Sequence, residues 1–183
     1  MIFVSSGHNS KSITIKQDAG ATGNGHKEGD LTIEFKHLVQ AELTKLGCKY
    51  VSDTEEENLK TYLDRIQTGK ASVVIEYHFD AGSSSDNGTT GVIEEEADRL
   101  DRLFTKTITD ATSNILRVIN RGLITEAESH RGRLGLMREE GIICLAELCF
   151  ITNKNDIDAY HKHKVQLAQV HAGIIKQYED LLK

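Results

Sequence analysis

The sequence lacks several features that mark common classes of protein. Its 183 residues carry a formal net charge of −6 at pH 7 and contain no basic tract interleaved with aromatic residues. Because a nucleic-acid-binding domain shows a basic patch or stripe, we expect no nucleic-acid partner. No stretch reaches the roughly 18 apolar residues of a transmembrane helix, so we expect no insertion into a membrane. Proline is absent altogether, which is unusual but excludes no class of fold.

The chain is also poor in cysteine, and its first residues show no export signal. The three cysteines, Cys48, Cys144 and Cys149, form no Cys-x-x-Cys pair and cannot all be joined within one chain, so buried free thiols are expected. The first eight residues have no charged start, no long apolar core and no cleavage site, so no signal peptide is predicted. We therefore expect synthesis in the cytoplasm.

Strand-like apolar segments alternate with helical stripes along the whole chain. Strands are predicted at residues 2–4, 48–51, 72–79, 91–93, 134–137 and 142–150, helices at 31–46 (with Asp30 as N-cap), 54–68, 97–119 and 155–183, and a surface loop at 122–133. This alternation predicts an α/β fold of three α/β/α layers, in which helices cover both faces of a mostly parallel, twisted sheet. No repeat or linker divides the sequence, so one domain is expected over residues 1–183.

Three segments that are far apart in sequence each contain a side chain suited to binding zinc. His8 follows the first strand, Glu28 precedes the first helix, and His78 ends the third strand. Two imidazoles and a carboxylate are a ligand set of catalytic zinc, which keeps a fourth position open for water. Strand ends meet at one edge of an open α/β sheet, so the three can converge. His26 and Asp18 are alternative ligands, and each residue taken alone could be purely structural.

A fourth candidate, Glu147, is an acid within the apolar strand 142–150. Buried carboxylates beside a metal are suited to proton transfer, although a paired structural acid is the simpler alternative. Zinc would polarise a scissile carbonyl and lower the pKa of a water toward about 7, and Glu147 would pass the proton of that water to the departing amine. Glu76 and Asp80 flank His78 and could orient a ligand or the substrate. These residues together predict a zinc hydrolase.

Seven short motifs, in order along nearly the whole chain, carry a family resemblance. They are Ser-Gly-His at 6–8, Asp-Ala-Gly-Ala at 18–21 with two further glycines, Lys-Glu-Gly-Asp at 27–30, Ile-Glu-Tyr-His-Phe-Asp-Ala at 75–81, Arg-Gly at 121–122, Leu-Gly-Leu-Met-Arg at 134–138, and Ala-Glu-Leu-Cys-Phe-Ile-Thr-Asn at 146–153. This series resembles the zinc-dependent N-acetylmuramoyl-L-alanine amidases of the amidase-3 family.

The resemblance implies a phosphorylase/hydrolase-like α/β fold with one zinc ion per chain. The ion would be held by His8, Glu28 and His78, and Glu147 would be the catalytic residue. The implied reaction is hydrolysis of the amide between the lactyl group of N-acetylmuramic acid and L-alanine, with peptidoglycan or a muropeptide as substrate. The enzyme would then be a bacteriolytic phage or prophage endolysin released at lysis, or a domain trimmed from an exported enzyme.

The chain departs from the family pattern at positions that bear on substrate binding. Asp80 stands where the family usually has asparagine, Ile142 replaces a common proline, and the loop at 9–17 is longer than is typical. The candidate substrate contacts are Arg138, Asp80 and Asn9. A guanidinium such as that of Arg138 fits the carboxylates of a stem peptide, although it could equally be a surface cation beside its two glutamate neighbours.

The residues considered without the resemblance also allow two other functions. The first is another zinc peptidase, such as a carboxypeptidase, and the second is a non-catalytic module that binds the cell wall. The first would release a C-terminal residue from a muropeptide, and the second would bind without turnover.

Overall fold

The computed structural model describes residues 1–13, 16–129 and 132–183 of the chain. In these ranges the strands are β1 (Ile2–Ser6), β2 (Thr22–Gly23), β3 (His26–Lys27), β4 (Tyr50–Ser52), β5 (Val73–Asp80), β6 (Thr89–Ile93), β7 (Asn120–Thr125) and β8 (Ile142–Phe150). The α-helices are α1 (Glu28–Lys45), α2 (Leu59–Arg65), α3 (Arg99–Leu116) and α4 (Lys154–Leu181), and a 3-10 turn covers Gly135–Arg138.

Six of these strands form one mixed, mostly parallel sheet. Their order is β4-β1-β5-β8-β6-β7, and β2 and β3 form a separate hairpin. All neighbouring strands of the sheet are parallel except β6 and β8. All nine residues of the central strand β8 are buried, as expected for a parallel strand that is covered on both faces.

Helices lie on both faces of the sheet, as predicted, but their distribution is unequal. Residues of α1, α3 and α4 form one large core with the side chains of β5 that include Ile75 and Tyr77. On the other face, Val74 of β5 packs in a smaller cluster with Tyr62 of α2 and Leu136 of the 3-10 turn. Because successive side chains of a strand alternate between faces, Glu76 and His78 lie on this second, less covered face.

The first long helix begins earlier than predicted, because backbone groups of the preceding loop cap it. The N-cap is Lys27, which makes no side-chain cap bond, and Asp30 lies inside the first turn. The amides of Glu28 and Gly29 donate to the carbonyls of Ala21 and Ala19 instead. The loop therefore holds the helix N-terminus and places Glu28 at its first position.

Two predictions in the second half of the chain were wrong. The stretch 122–133, predicted as a loop, contains most of the edge strand β7, whose polar sequence reflects its exposed position; residues 130 and 131 of that stretch lie outside the described ranges. Residues 134–137, predicted as a strand, belong largely to the 3-10 turn, in which Leu136 and Met137 are buried side by side. Neighbouring apolar residues can both be buried in such a turn, so their pattern did not distinguish it from a strand.

Two smaller differences concern the second helix and the hairpin. The helix predicted at 54–68 is confined to α2, since Asn58 caps it by accepting a hydrogen bond from the amide of Thr61. The hairpin of β2 and β3 was not predicted, because each strand has only two residues. Residues 14 and 15 of the long loop lie outside the described part of the chain.

Among the described residues, no helix combines the length and the apolar character that crossing a lipid bilayer requires.

Candidate metal centre

Three side chains from distant segments converge at the carboxyl ends of β1 and β5. His8 follows β1, Glu28 opens α1, and His78 lies near the end of β5. One ligand atom from each of them lies within 4.8 Å of the others, and no other group of this kind was found in the described ranges. The predicted convergence of these three residues is therefore present, and neither Asp18 nor His26 belongs to the group.

The carboxylate of Glu28 is the centre of the group. Its Oε2 lies 3.3 Å from Nε2 of His8, and its Oε1 lies 3.0 Å from Nδ1 of His78. The backbone amides of Ala21 and Phe79 donate to the same two oxygens. Burial raises the pKa of Glu28, but the hydrogen bond from His78 and the charges of both histidines outweigh this effect and lower the pKa to about 2. The group is thus anchored by an ionised carboxylate.

The other nitrogen of each imidazole is held by a further carboxylate. Nδ1 of His8 lies 2.9 Å from Oδ2 of Asp18, and Nε2 of His78 lies 2.9 Å from Oε1 of Glu76. Burial lowers the pKa of His78, whereas its hydrogen bonds to Glu28 and Glu76 raise it, and the pKa comes to about 10. Metal-binding histidines commonly use their second nitrogen in this way, which fixes the orientation of the ring.

The backbone closes tightly around the two imidazoles. A Cβ atom added to Gly7 would lie 2.1 Å from Cε1 of His78, and one added to Gly20 would lie 2.6 Å from both Oε2 of Glu28 and Cδ2 of His8. His8 itself has a φ of 65°, a left-handed conformation that is uncommon outside glycine and concentrates at functional sites. Two imidazoles and a carboxylate, held in such a cradle, fit a zinc ion.

Glu147 lies beside this group on the same sheet. Its position in β8 is paired in register with His78 of β5 and with Thr90 of β6. The side chain is buried, and its charge contributes to the raised pKa of His78. An acidic side chain therefore lies on the strand adjacent to His78, directly opposite it in register.

The side chain of Arg138 is engaged by two carboxylates. One guanidinium nitrogen, Nη1, lies 2.6 Å from Oε1 of Glu94, and Nη2 forms an ion pair with Glu126. The partners of Arg138 are therefore not the glutamates next to it in the sequence. One of those, Glu139, accepts a hydrogen bond from the hydroxyl of Thr68 instead.

Asn9 and Asp80 are also involved in local structure. The side-chain nitrogen Nδ2 of Asn9 donates to the backbone carbonyls of Glu55 and Glu57, which ties the first loop to the segment that follows β4. Asp80 lies after an irregularity in the pairing of β5 with β8, and its Oδ1 accepts a hydrogen bond from the amide of Ala81. Asp80 is the less buried of the two.

Sequence reasoning did not find the role of Asp18. Asp18 was considered as an alternative metal ligand, but its contact is with the imidazole of His8. Glu76 was recognised as a possible orienting group because it lies two positions from His78 on the same strand. Its second oxygen accepts a hydrogen bond from the hydroxyl of Ser5, a contact that no sequence pattern indicated.

Comparison with known proteins identifies the family. The family described as N-acetylmuramoyl-L-alanine amidase, Amidase_3, matches residues 2–177. The uncharacterized protein YqiI of Bacillus subtilis (strain 168) is 24% identical over 169 residues, which cover 90% of this chain and 77% of that protein. These matches extend over nearly the whole chain.

Solved structures share the fold at low sequence identity. An N-acetylmuramoyl-L-alanine amidase from Clostridium difficile 630 has a TM-score of 0.78 at 18% identity, covering 98% of this chain and 96% of that chain. The catalytic domain of an endolysin targeting Clostridia difficile has a TM-score of 0.76 at 18% identity, covering 96% of each chain. These likenesses establish the fold, and the family match goes further: the chain belongs to the Amidase_3 family of N-acetylmuramoyl-L-alanine amidases, enzymes that hydrolyse an amide bond of peptidoglycan.

Proposed function

We propose that the protein is a zinc-dependent amidase that cleaves the bond between the lactyl group of N-acetylmuramic acid and L-alanine. His8, Glu28 and His78 would hold one zinc ion. The observation that carries this proposal is the arrangement of the three ligands within 4.8 Å, in which a further carboxylate orients each imidazole. Bound there, zinc would supply a Lewis acid that polarises the scissile carbonyl and makes a water more acidic.

Glu28, Asp18 and Glu76 would prepare the site to bind the ion. Glu28 is ionised through most of the pH range, so it can serve as an anionic ligand. Asp18 and Glu76 hold Nδ1 of His8 and Nε2 of His78, so the other nitrogen of each ring would be available to bind the ion. These contacts fix the geometry before a substrate arrives, which lowers the cost of organising the site.

Glu147 is proposed as the general base and then the general acid. Its carboxylate would take a proton from the attacking water and deliver it to the nitrogen of L-alanine as the amide bond breaks. The products are the free lactyl carboxylic acid and a peptide with a free amino terminus, so one water is consumed for each bond. Its register opposite His78 supports this assignment.

Of the three candidate substrate contacts, Asp80 has the best position. It lies two residues after His78 at the carboxyl end of β5 and is partly exposed. Arg138 would have to give up an ion pair with Glu94 or Glu126 to bind a stem-peptide carboxylate, and Asn9 would have to release the loop it holds. We therefore propose Asp80 as the direct contact and structural roles for Arg138 and Asn9.

The biological setting is proposed from the similarity to an endolysin catalytic domain. In this setting the protein would be made in the cytoplasm and released onto the cell wall at lysis, as a phage or prophage endolysin is. A trimmed domain of an exported amidase has the same chemistry, so the experiment below applies to both.

Metal analysis followed by digestion of defined muropeptides tests the proposed function. The purified protein should contain zinc, lose activity when a chelator removes it, and release peptides that begin with a free L-alanine. Release of a C-terminal residue instead would indicate a carboxypeptidase. Binding to cell walls without any turnover, by zinc-loaded protein, would indicate a wall-binding module and refute the proposal.

A further inference from the structure

A second pair of histidines lies away from the metal centre, where the β2–β3 hairpin meets α4. Nε2 of His26 lies 3.3 Å from Nε2 of His161, and the two ring planes are inclined at 46°. His26 is partly buried and His161 is exposed, so solvent reaches the pair. The proposed amidase reaction uses neither residue.

The distance between the two nitrogens is suited to a shared metal ion. It is longer than the usual hydrogen-bond distance of about 2.9–3.0 Å for a nitrogen donor, so a hydrogen bond between the rings would be weak. Two nitrogens bound at about 2.0–2.1 Å to one tetrahedral zinc ion are about 3.3–3.4 Å apart. The rings therefore need little rearrangement to bind one ion.

The surroundings favour the form of His161 that can bind a metal. Although His161 is exposed, desolvation of one part of the ring lowers its pKa, and the nearby Lys164 and His26 lower the pKa further, while Glu34 and Asp158 raise it. A neutral imidazole has a free lone pair on one nitrogen, which is the form that coordinates transition metals.

Water would complete the coordination, because the other side chains of the cavity that could bind a metal ion, those of Asp30, Glu34 and His37, already have partners. Asp30, Glu34 and His37 line the same surface cavity as the two histidines. Asp30 accepts a hydrogen bond from Ser10, Glu34 forms an ion pair with Lys164, and His37 lies 3.4 Å from a carboxylate oxygen of Glu55. These contacts leave two protein ligands, which predicts weaker binding than at a three-ligand centre.

We propose that His26 and His161 form a second site for a divalent transition-metal ion, with Zn²⁺ as the probe. Imidazole ligands select Zn²⁺, Ni²⁺ or Cu²⁺ over Mg²⁺ and Ca²⁺, which prefer oxygen. An ion here would tie the hairpin to α4. Since α1 begins at Glu28, two residues after His26, this link would brace the segment that leads into the main centre.

Zinc titration of the metal-free protein by calorimetry tests the proposal. The wild type should bind two equivalents, one tight and one weaker, and Mg²⁺ should not compete for the weaker one. His26→Ala and His161→Ala should each lose the weaker equivalent and keep the tight one. His163→Ala is the matched control, because it removes a histidine two positions along the same helix and should keep both equivalents.

A Glu28→Gln variant separates this proposal from the proposed function. It should lose the tight equivalent and keep the weaker one, because the two sites share no ligand. If the wild type binds a single zinc that His26→Ala removes, the second site is correct and the proposed metal centre is wrong. The second site is wrong if the wild type binds one equivalent that His26→Ala and His161→Ala retain, or if both variants still bind two.

Circular dichroism of the metal-free variants checks that they are folded. Because an ion that binds only the folded state stabilises it, excess zinc should also raise the thermal midpoint of Glu28→Gln. The double variant Glu28→Gln/His161→Ala should show no such rise. An equal rise in both proteins would contradict the second site.

Discussion

Glu76 and His78 lie two positions apart on β5, and the carboxylate of Glu76 holds Nε2 of the imidazole at 2.9 Å. On the other side of the ring, Nδ1 of His78 lies 3.0 Å from Oε1 of Glu28. The imidazole of His78 therefore lies between two buried carboxylates, that of Glu76 on its own strand and that of Glu28 in α1. His8 likewise lies between two carboxylates, the buried one of Glu28 and the exposed one of Asp18.

Replacing the outer carboxylates should weaken zinc binding without removing a ligand. We expect Glu76→Gln and Asp18→Asn each to reduce zinc affinity by about 10–100-fold, the usual effect of losing such a partner. Competition with a chromogenic chelator measures this change. Glu95→Gln, a change at an exposed glutamate, is the control. Unchanged affinity in both variants would show that the imidazoles are oriented by packing alone.

Glu147→Gln should abolish turnover and leave the zinc of the main centre in place. Proton transfer by a positioned carboxylate contributes about 10²–10⁴-fold to a rate, and the amide keeps the shape of the side chain but cannot accept the proton. Muropeptide turnover and zinc content are measured on the same preparation. Loss of the tight zinc equivalent would mean that Glu147 is a ligand and that its proposed role is wrong.

Gly7→Ala should disrupt the metal centre, because its new methyl group would lie 2.1 Å from the ring of His78. The ring must move, so we expect loss of tight zinc binding and of activity. Gly173→Ala is the matched control, since nothing lies within 4 Å of its added Cβ in α4. The control should keep the zinc and gain about 0.5–1 kcal/mol of stability from helix propensity. Full zinc affinity in Gly7→Ala would show that the cradle is looser than the structure indicates.

His171 should make the fold less stable in acid. The ring is fully buried between α4 and the sheet, where it contacts Thr112 and stacks on Tyr77, and burial lowers its pKa from 6.5 to about 3. Between these two values the unfolded chain binds more protons than the folded one, so stability falls as pH drops from 6.5 toward 3.

The magnitude at pH 5 is about 2 kcal/mol, because each pH unit below 6.5 is worth about 1.4 kcal/mol. Urea unfolding at pH 7 and pH 5, for the wild type and His171→Gln, measures this contribution. The variant is expected to be less stable at pH 7 but to lose less stability on going to pH 5. Equal losses in the two proteins would show that other groups cause the acid sensitivity.

The candidate ligands could be predicted from sequence because their positions follow from a simple rule. His8 and His78 come at the ends of apolar strands, and parallel strands in one sheet end at the same edge. Glu147 was recognised because an acid in an apolar run is conspicuous. Each of these signals is local, so no knowledge of the path of the loops was needed.

The parts that were missed depend on contacts between distant segments. β7 is polar because it lies at the edge of the sheet, and its place there is set by pairing with β6. Asp18 reaches His8 because Asn9 and Asp18 pair as a β-bridge. The sequence alone does not show that these two residues pair.

By itself, the sequence determined the α/β class, most of the strands and helices, and the four residues that we propose for zinc binding and proton transfer, because each is encoded by local apolar patterns and by side-chain type. Only the tertiary structure decided which carboxylate contacts which imidazole and that Arg138 forms ion pairs with Glu94 and Glu126. It also decided that His26 contacts His161, which lies 135 residues further along the chain. Those pairings arise when packing of the sheet and helices brings remote segments together, and a contact of that kind has no signature in either segment alone.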